Sequence, residues 1–227
     1  VLNNTKVFRA RMYAAAKNRE FEVFLLRPRR SGEHESEWDV LIQPLRKLSV
    51  GSVMSFAGMS GVLKAVQEDG VATVVFDMTQ GDVIDFVNEN GHIPVPPYIE
   101  NDIINLDEYQ TIYAVNTGSV AAPTAGFHFT ESLLDTLKEK GVQLEYITLH
   151  VGMGTFMPMK FKTVSEHKMH AEYVTIKQKV AERILLAKKE GRRVIAVGTT
   201  VARALEGVDK NVGLRGYSGD VDVFIKS

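Results

Sequence analysis

Histidine is the main candidate for proton-transfer chemistry in this chain, because the sequence has six histidines and no cysteine. Four of the six, His128, His150, His167 and His170, fall between residues 128 and 170. An imidazole titrates near neutral pH, so it can act as a proton shuttle or as a metal ligand. The clustering therefore indicates chemistry in this half of the chain and leaves both roles open.

A metal site is the weaker of these two interpretations. His167 and His170 are three residues apart, and Glu172 follows closely. However, the H-E-x-x-H order of zinc hydrolases is absent, and no cysteine can serve as a ligand. We expect no bound metal, and a metal-dependent hydrolase remains an alternative.

Three loops rich in small residues lie where predicted strands end and helices begin. They span residues 120–130, 150–156 and 198–203. Small residues let the backbone approach a ligand closely, and the start of a helix offers unpaired N–H groups to an anion such as a carboxylate. Active residues of alternating α/β folds collect at such strand ends. We therefore expect the three loops to meet in one ligand site.

Several protein classes are excluded by what the sequence lacks. It has no G-x-G-x-x-G motif after a strand, no P-loop and no G-x-S-x-G, so it predicts no dinucleotide enzyme, nucleoside triphosphatase or common serine hydrolase. With a mean hydropathy of -0.07 and no apolar run near the ~20 residues that a spanning helix needs, we expect no membrane segment. The absence of cysteine fits a reducing compartment.

Charge is unevenly distributed along the chain, although the formal net charge is only -1. Residues 1–50 carry a net +4, residues 51–110 carry -9, and residues 111–227 carry +4. The first 30 residues hold eight basic and two acidic side chains. Such segregation allows a basic face for a polyanion, although exposed arginines are also ordinary on a protein surface.

The pattern of elements predicts two domains. Residues 6–86 contain five or six short runs of β-forming residues, with Asp69-Gly70 as the strongest hairpin signal, which predicts a small antiparallel barrel or sandwich. Residues 92–98 include three prolines, and we place the boundary there. The prediction is a small β domain over residues 6–90 and an α/β domain over residues 91–227 that also includes residues 1–5.

From residue 111 onward, helices alternate with strands. Helices are predicted over residues 130–141, 176–190 and from 199 to 206, and strands over residues 142–150 and 193–197. Alternation along the first strand places Leu144, Tyr146, Thr148 and His150 on one face. The order of elements predicts a mixed or parallel sheet.

Seven strings of this chain resemble, in order and spacing, those of the S-adenosylmethionine:tRNA ribosyltransferase-isomerases of the queuosine pathway. They are VLNNTKV, GHIPVPPYI, YQTIYA, GSVAAPTAGFHFT, TLHVGMGTF, MHAEY and RRVIAVGTT. The resemblance implies a mixed α/β fold, in which a larger α/β-barrel-like domain carries a smaller antiparallel β-barrel.

The resemblance also implies a reaction. The ribosyl part of S-adenosylmethionine would be transferred and isomerised onto 7-aminomethyl-7-deazaguanine in a tRNA anticodon, giving epoxyqueuosine with release of adenine and methionine. No cofactor is implied, because S-adenosylmethionine is consumed as the ribosyl donor. We expect a cytoplasmic monomer whose partners are this tRNA and S-adenosylmethionine, with no membrane association.

The implied reaction needs a base that removes a proton from the carbon beside the sulfonium. His150 or His128 is the candidate, with His170 and Glu172 as orienting or second-base groups. The pocket would be lined by Thr124, Ala125, Gly126, Thr130, Gly152, Gly154 and Thr155. The methionine carboxylate would bind to Thr199, Thr200 and Arg203. The tRNA phosphates would bind to Arg9, Arg11, Lys17, Arg19 and Arg27.

Some positions depart from the family pattern. Arg9 stands where proline is usual, and Val201-Ala202 stands where Ser or Thr is usual. The family's N-terminal segment and its C-terminal Asn-Phe-His-Leu-Pro motif are absent, so we expect the chain to be a piece of a longer protein. An RNA-binding module attached to an inactive α/β domain therefore remains the alternative function.

Overall fold

A computed structural model describes residues 1–68, 70–94, 105–152, 171–223 and 225. The chain divides into two compact units. We call Val1–Val7 with Asp107–Ser227 the α/β unit, and Phe8–Leu106 the barrel unit. The boundaries predicted from sequence, after residues 5 and 90, remain predictions of where the folding domains end.

The strands and helices follow the chain in this order. The strands are β1 (Leu2–Asn3), β2 (Thr5–Val7), β3 (Arg11–Ala16), β4 (Arg19–Ser31), β5 (Ser36–Gln43), β6 (Val53–Ser55), β7 (Ser60–Val66), β8 (Ala72–Phe76), β9 (Asn116–Ser119), β10 (Tyr146–Leu149), β11 (Glu172–Ile176) and β12 (Tyr217–Val221). The α-helices are α1 (Gln80–Asn90), α2 (Glu131–Glu139), α3 (Gln178–Lys189) and α4 (Thr199–Val212). Short 3-10 helices cover Leu45–Lys47, Leu106–Tyr109 and Thr124–His128.

The barrel unit is a closed antiparallel barrel. Its strands follow the order β3-β4-β5-β8-β7-β6, and β6 pairs with β3 to close the ring. Alternate residues of β3 point inward, as the period of two requires, and the interior is filled by large side chains such as Phe21, Trp38 and Phe76. The predicted small antiparallel barrel is confirmed. Asp69, from the predicted hairpin turn, lies outside the described residues.

The α/β unit is built on a mixed sheet, as the alternation of elements predicts. Its order is β1-β10-β11-β12, with β1 parallel to β10 and the other pairs antiparallel, and β2 pairs separately with β9 in parallel. Helices α3 and α4 share one apolar cluster with the strands. Within the part of the chain that the structure describes, no helix combines the length and apolarity that crossing a bilayer requires.

The two faces of this sheet differ in chemistry. On one face, Ile147 and Leu149 are buried in the apolar cluster with residues of α4. Because strand residues alternate, Tyr146, Thr148 and His150 face the other way, as predicted from the sequence. The polar face of β10 is the one that borders the cavity described below.

One predicted strand is wrong. Residues 193–197 form no strand, and Val194 and Ile195 are 36% and 60% exposed. The segment lies beside Val1, whose ammonium donates to the Ile195 carbonyl at 2.7 Å and whose carbonyl accepts the Val197 N–H at 3.0 Å. An apolar run alone does not distinguish this arrangement from a buried strand.

Candidate active site

A cavity of about 690 Å³ opens on the polar face of the α/β unit. Its walls come from the β1–β2 connection, from β9 and β10, and from the junction of β11 with α3. Polar groups in the lining include Asn4, Asn116, Thr148 and His150, with Tyr146 as the aromatic wall. A cavity of this volume is within the range that holds a small ligand.

His150 is a titratable group of this cavity whose ring and backbone both make contacts within the α/β unit. Its Nδ1 lies 2.8 Å from Thr5 Oγ1, and its backbone N–H donates to the Tyr173 carbonyl at 3.0 Å. The ring packs on Gly118, where an added Cβ would lie 2.8–2.9 Å from three ring atoms. Burial lowers the pKa of His150 from its ordinary value of 6.5. The imidazole is therefore neutral near neutral pH.

Three polar side chains beside His150 bind one another in a closed triangle. Thr148 Oγ1 donates to Asn4 Oδ1 at 2.7 Å, and Asn116 Nδ2 donates to Thr148 Oγ1 at 2.8 Å and to Asn4 Oδ1 at 3.1 Å. The triangle joins the β1–β2 connection, β9 and β10. It offers amide and hydroxyl groups of fixed orientation to a ligand.

Glu172 faces away from His150. Along β11, Glu172 shares the face of Val174, which is in the apolar cluster, and Glu172 Oε2 accepts from Arg203 Nη1 of α4 at 2.7 Å. The exposed fractions of these two side chains are 7% for Glu172 and 12% for Arg203. Glu172 Oε1 accepts the Gly152 N–H at 3.1 Å. The structure thus places Glu172 in an ion pair with Arg203, on the opposite face of the sheet from His150, and its predicted role as an orienting or second-base group stays a prediction.

The described residues of the three predicted loops contact one another, but of these residues only His150 lines the cavity. Val120 N–H donates to the Val151 carbonyl at 3.0 Å, which joins the first loop to the second. A Cβ on Gly198 would lie 3.1 Å from the Ala125 Cβ, which joins the first to the third. The second and third loops are linked through the bond from Gly152 to Glu172 and the ion pair just described.

The first loop carries its small residues for a reason that the sequence did not show. A Cβ on Gly126 would lie 2.1 Å from Tyr113 Oη, so Tyr113 occupies the space predicted for a ligand. Tyr113 packs against Phe129 and Tyr146 with ring centroids 6.5 and 5.7 Å apart, and burial raises its pKa to about 12. Gly126 therefore accommodates a side chain of the protein itself.

Three further predicted site residues are described by the structure, and four lie outside the described residues. Thr124 and His128 are exposed, and they bound the 3-10 helix that precedes α2. Thr130 is the N-cap of α2, and its Oγ1 accepts the Leu133 N–H at 3.2 Å. None of these three lines the cavity around His150. Gly154, Thr155, His167 and His170 lie outside the described residues.

Thr199 and Thr200 begin α4, which has no side-chain N-cap. Thr199 is exposed, whereas Thr200 Oγ1 lies 3.4 Å from Asn3 Nδ2. The start of α4 therefore has backbone N–H groups that no N-cap side chain satisfies, a feature that can bind an anion. Among the described residues, no three His, Asp or Glu side chains are grouped closely enough to hold a metal ion.

The predicted phosphate-binding residues do not form one surface. Arg11 pairs with Glu22 at 3.3 Å, Arg27 pairs with Asp39 at 3.2 Å, and Arg9 is half-buried with a bond to a backbone carbonyl. Arg27 is eight residues along β4 from Arg19, a span of about 27 Å. These three arginines are thus engaged within the barrel unit.

The other two predicted residues belong to a basic tip, which we define as Lys17, Arg19, Arg46 and Lys47. All four are exposed. Lys17 lies in the turn between β3 and β4, and its Nζ is 3.5 Å from the Lys47 carbonyl oxygen. The structure adds Arg46 and Lys47, which sequence reasoning missed because they are distant from Lys17 along the chain.

The sequence did not single out as site residues Asn4, Asn116 and Thr148, which line the cavity, or Thr5 and Gly118, which contact His150. The available signal was the polar run Asn3-Asn4-Thr5-Lys6 between Leu2 and Val7, and the structure shows these side chains to be buried or half-buried. Buried polar side chains need partners, so such a run indicates a polar network. Taken together, the fold and the site define a mixed α/β protein that carries a β-barrel and a histidine-lined ligand cavity.

Comparison with known proteins identifies the family of this chain. A family model described as queuosine biosynthesis protein matches residues 1–227. The chain belongs to that family.

Similar proteins named S-adenosylmethionine:tRNA ribosyltransferase-isomerase agree with this placement. One from Carboxydothermus hydrogenoformans is 43% identical over 228 residues, covering 99% of this chain and 66% of that protein. One from Desulfitobacterium hafniense is 42% identical over 229 residues with the same coverage. The chain thus spans 66% of the length of these relatives.

A solved structure also matches. It is the crystal structure of S-adenosylmethionine tRNA ribosyltransferase from Thermotoga maritima, with 26% identity and a TM-score of 0.36, covering 98% of this chain and 59% of that one.

Proposed function

We propose that this protein transfers and isomerises the ribosyl part of S-adenosylmethionine onto 7-aminomethyl-7-deazaguanine in a tRNA anticodon. The product is epoxyqueuosine, and adenine and methionine leave. Membership of the queuosine biosynthesis family and the names of relatives about 42% identical support this activity. The observation that carries it structurally is His150, held by Thr5 in a cavity of about 690 Å³.

The proposed chemistry begins with loss of a proton from the carbon beside the sulfonium, where the positive sulfur stabilises the resulting ylide. To reach the product, the ribose ring C–O bond and the bonds to adenine and to the methionine sulfur break, while three bonds form: a C–N bond to the neutral amine of the modified base, a carbon–carbon bond that closes the carbocycle, and the epoxide C–O bond. Adenine leaves with a proton, and the sulfonium leaves as neutral methionine. His150 is the proposed catalytic side chain. A neutral imidazole accepts a proton at one ring nitrogen and donates from the other, so its tautomer decides what it offers the cavity.

The methionine part of the donor has a candidate position at the start of α4. Thr199 and Thr200 begin this helix, which has no side-chain N-cap, and Ala125 lies next to Gly198. Backbone N–H groups at a helix start bind carboxylates. The Arg203 guanidinium already binds Glu172, so we propose that it supports this end of the site instead of binding the carboxylate directly.

For tRNA, we propose the basic tip as the phosphate-binding surface. Its four exposed cations lie on two adjoining segments of the barrel unit, whereas Arg11 and Arg27 are paired with carboxylates. Contacts to phosphates predict an affinity that falls steeply with salt. The proposal includes a cytoplasmic location, where tRNA is found, and a monomeric protein, which light scattering would test.

The experiment that tests the function is release of adenine. Purified protein is incubated with S-adenosylmethionine and tRNA carrying 7-aminomethyl-7-deazaguanine, and adenine is followed by chromatography. We expect adenine only when both substrates are present. Binding of the tRNA with no adenine above the no-enzyme control would refute the proposal and support the RNA-binding alternative.

A further inference from the structure

Thr5 has a buried hydroxyl with a single partner. Its side chain is 0% exposed, and His150 Nδ1, 2.8 Å away, is the one hydrogen-bond partner of Oγ1 among the described residues. The hydroxyl carries one hydrogen, and it can rotate to suit its acceptor. The question is therefore which of the two groups donates in this bond.

Which atom donates in the bond between Thr5 Oγ1 and His150 Nδ1 follows from the hydrogen that each direction would leave without an acceptor. If Nδ1–H donated to Thr5, the hydroxyl hydrogen would be buried with no acceptor among the described residues. A buried donor without an acceptor is costly, whereas a hydroxyl oxygen with spare lone pairs is tolerated. Thr5 must then donate to Nδ1. In a neutral imidazole the ring hydrogen consequently belongs to Nε2.

Gly118 holds the ring in this orientation. Its φ of +149° suits glycine, and the space that a Cβ would occupy is filled by Cε1, Nδ1 and Nε2 of His150. The ring is thus fixed by a hydrogen bond along its Nδ1 edge and by backbone against its face. Nε2 makes no hydrogen bond to a described residue, and the ring lines the cavity.

We propose that Thr5 is a positioning residue that holds His150 as the neutral Nε2–H tautomer, so that His150 presents a hydrogen-bond donor to the cavity. The role in turnover rests on the proposed function. There, the acceptor is a ring nitrogen of the leaving adenine, on which negative charge develops as its bond to the ribosyl carbon breaks. Donors aimed at developing charge stabilise a transition state strongly. His150 would then assist departure of adenine, and not act as the base assigned from sequence.

The surroundings of His150 agree with a neutral ring. The charged groups that line the same cavity are Glu145, Lys177 and Arg183, and Glu145 is paired with Arg183, whose Nη2 lies 2.7 Å from Oε2. The lowered pKa of His150 comes from burial alone. Protonation would also place a hydrogen on Nδ1 and turn the Thr5 hydroxyl away from its acceptor.

The direct test is the tautomer of His150 in the free protein. Long-range ¹H–¹⁵N spectra of histidine-labelled protein near neutral pH, assigned with His150→Gln, should show a protonated Nε2 and an unprotonated Nδ1. Thr5→Val should shift the Nδ1 resonance towards that of an unbonded nitrogen, and Thr5→Ser should keep the wild-type pattern. A protonated Nδ1 in the wild-type protein would overturn the inference, whether or not adenine is released.

Turnover gives a second, independent readout. A glutamine amide can donate from near the Nε2 position, so we expect His150→Gln to keep a kcat about tenfold above that of His150→Ala. Equal loss in both variants indicates a base and would contradict the donor role. We also expect Thr5→Val to lower kcat about tenfold, with rescue by Thr5→Ser. A wild-type protein with the expected tautomer and no adenine release would refute the proposed function and leave the tautomer assignment intact.

Discussion

Replacing Gly118 with alanine should disable the site while leaving the fold largely intact. The new Cβ would lie 2.8 Å from the nearest His150 ring atom, against 3.4 Å or more in ordinary contact. The imidazole must therefore move by at least about 0.6 Å. A displacement near 1 Å costs roughly 100-fold in rate, so we expect kcat for adenine release to fall about 10- to 100-fold.

The loss of stability caused by Gly118→Ala can be measured separately from the displacement of the His150 ring. The φ of +149° at Gly118 disfavours alanine, at a cost of roughly 1–3 kcal/mol. Gly141 is a matched control, because its φ is +78° and nothing lies within 4 Å of an added Cβ. Both variants should lose about 2–4 °C in Tm per kcal/mol. Only Gly118→Ala should lose activity and shift the His150 ring signals.

Two measurements, the kcat and the His150 resonances of Gly118→Ala, decide whether Gly118 positions the ring. If Gly118→Ala keeps the kcat of Gly141→Ala, with His150 resonances unchanged, the contact between the glycine and the imidazole does not position the ring. Circular dichroism and thermal unfolding of both variants establish that the comparison is made between folded proteins.

Three further predictions concern other parts of the molecule. Arg203→Met removes the guanidinium that neutralises the buried Glu172 carboxylate, so the free energy of unfolding in urea should fall by about 3–5 kcal/mol, and adding Glu172→Gln should recover part of it; an unchanged unfolding midpoint would contradict the ion pair. Burial lowers the pKa of His150 in the folded state below its ordinary 6.5, so between these two values the unfolded chain binds more protons and stability rises with pH. His150→Gln should remove that part of the slope, and identical slopes would show that the histidine is not buried. Lys17→Ala should reduce the dependence of log K for tRNA on log salt by about one, whereas the paired Arg27→Ala should leave it unchanged; the reverse order would place the phosphates away from the basic tip.

Much of the architecture could be predicted from the sequence because its signals are local. Period-two runs separated by turn residues indicated the barrel, and Thr130 and Gly141 marked the limits of a helix that the structure shows as Glu131–Glu139. The 193–197 segment was predicted as a buried strand, but it forms no strand, and Val194 and Ile195 are 36% and 60% exposed. Whether an apolar run pairs into a sheet depends on parts of the protein that are distant in sequence.

The site could be predicted only in part, for the same physical reason. The face that carries Tyr146, Thr148 and His150 follows from alternation along one strand. The pairing of Glu172 with Arg203 and the contact of Gly118 with the ring join residues more than 30 positions apart. Such contacts depend on register and tertiary packing, which periodicity does not encode.

We propose that His150, which is held by Thr5 and Gly118, assists the release of adenine from S-adenosylmethionine. The most direct measurement compares adenine release, in the presence of the modified tRNA, by wild-type protein and by two folded variants, His150→Ala and His128→Ala. We predict a loss of at least about 100-fold for His150→Ala and a rate near wild type for His128→Ala, since His128 is exposed and outside the cavity. Near-normal turnover by His150→Ala would contradict the proposed role of His150 in adenine release.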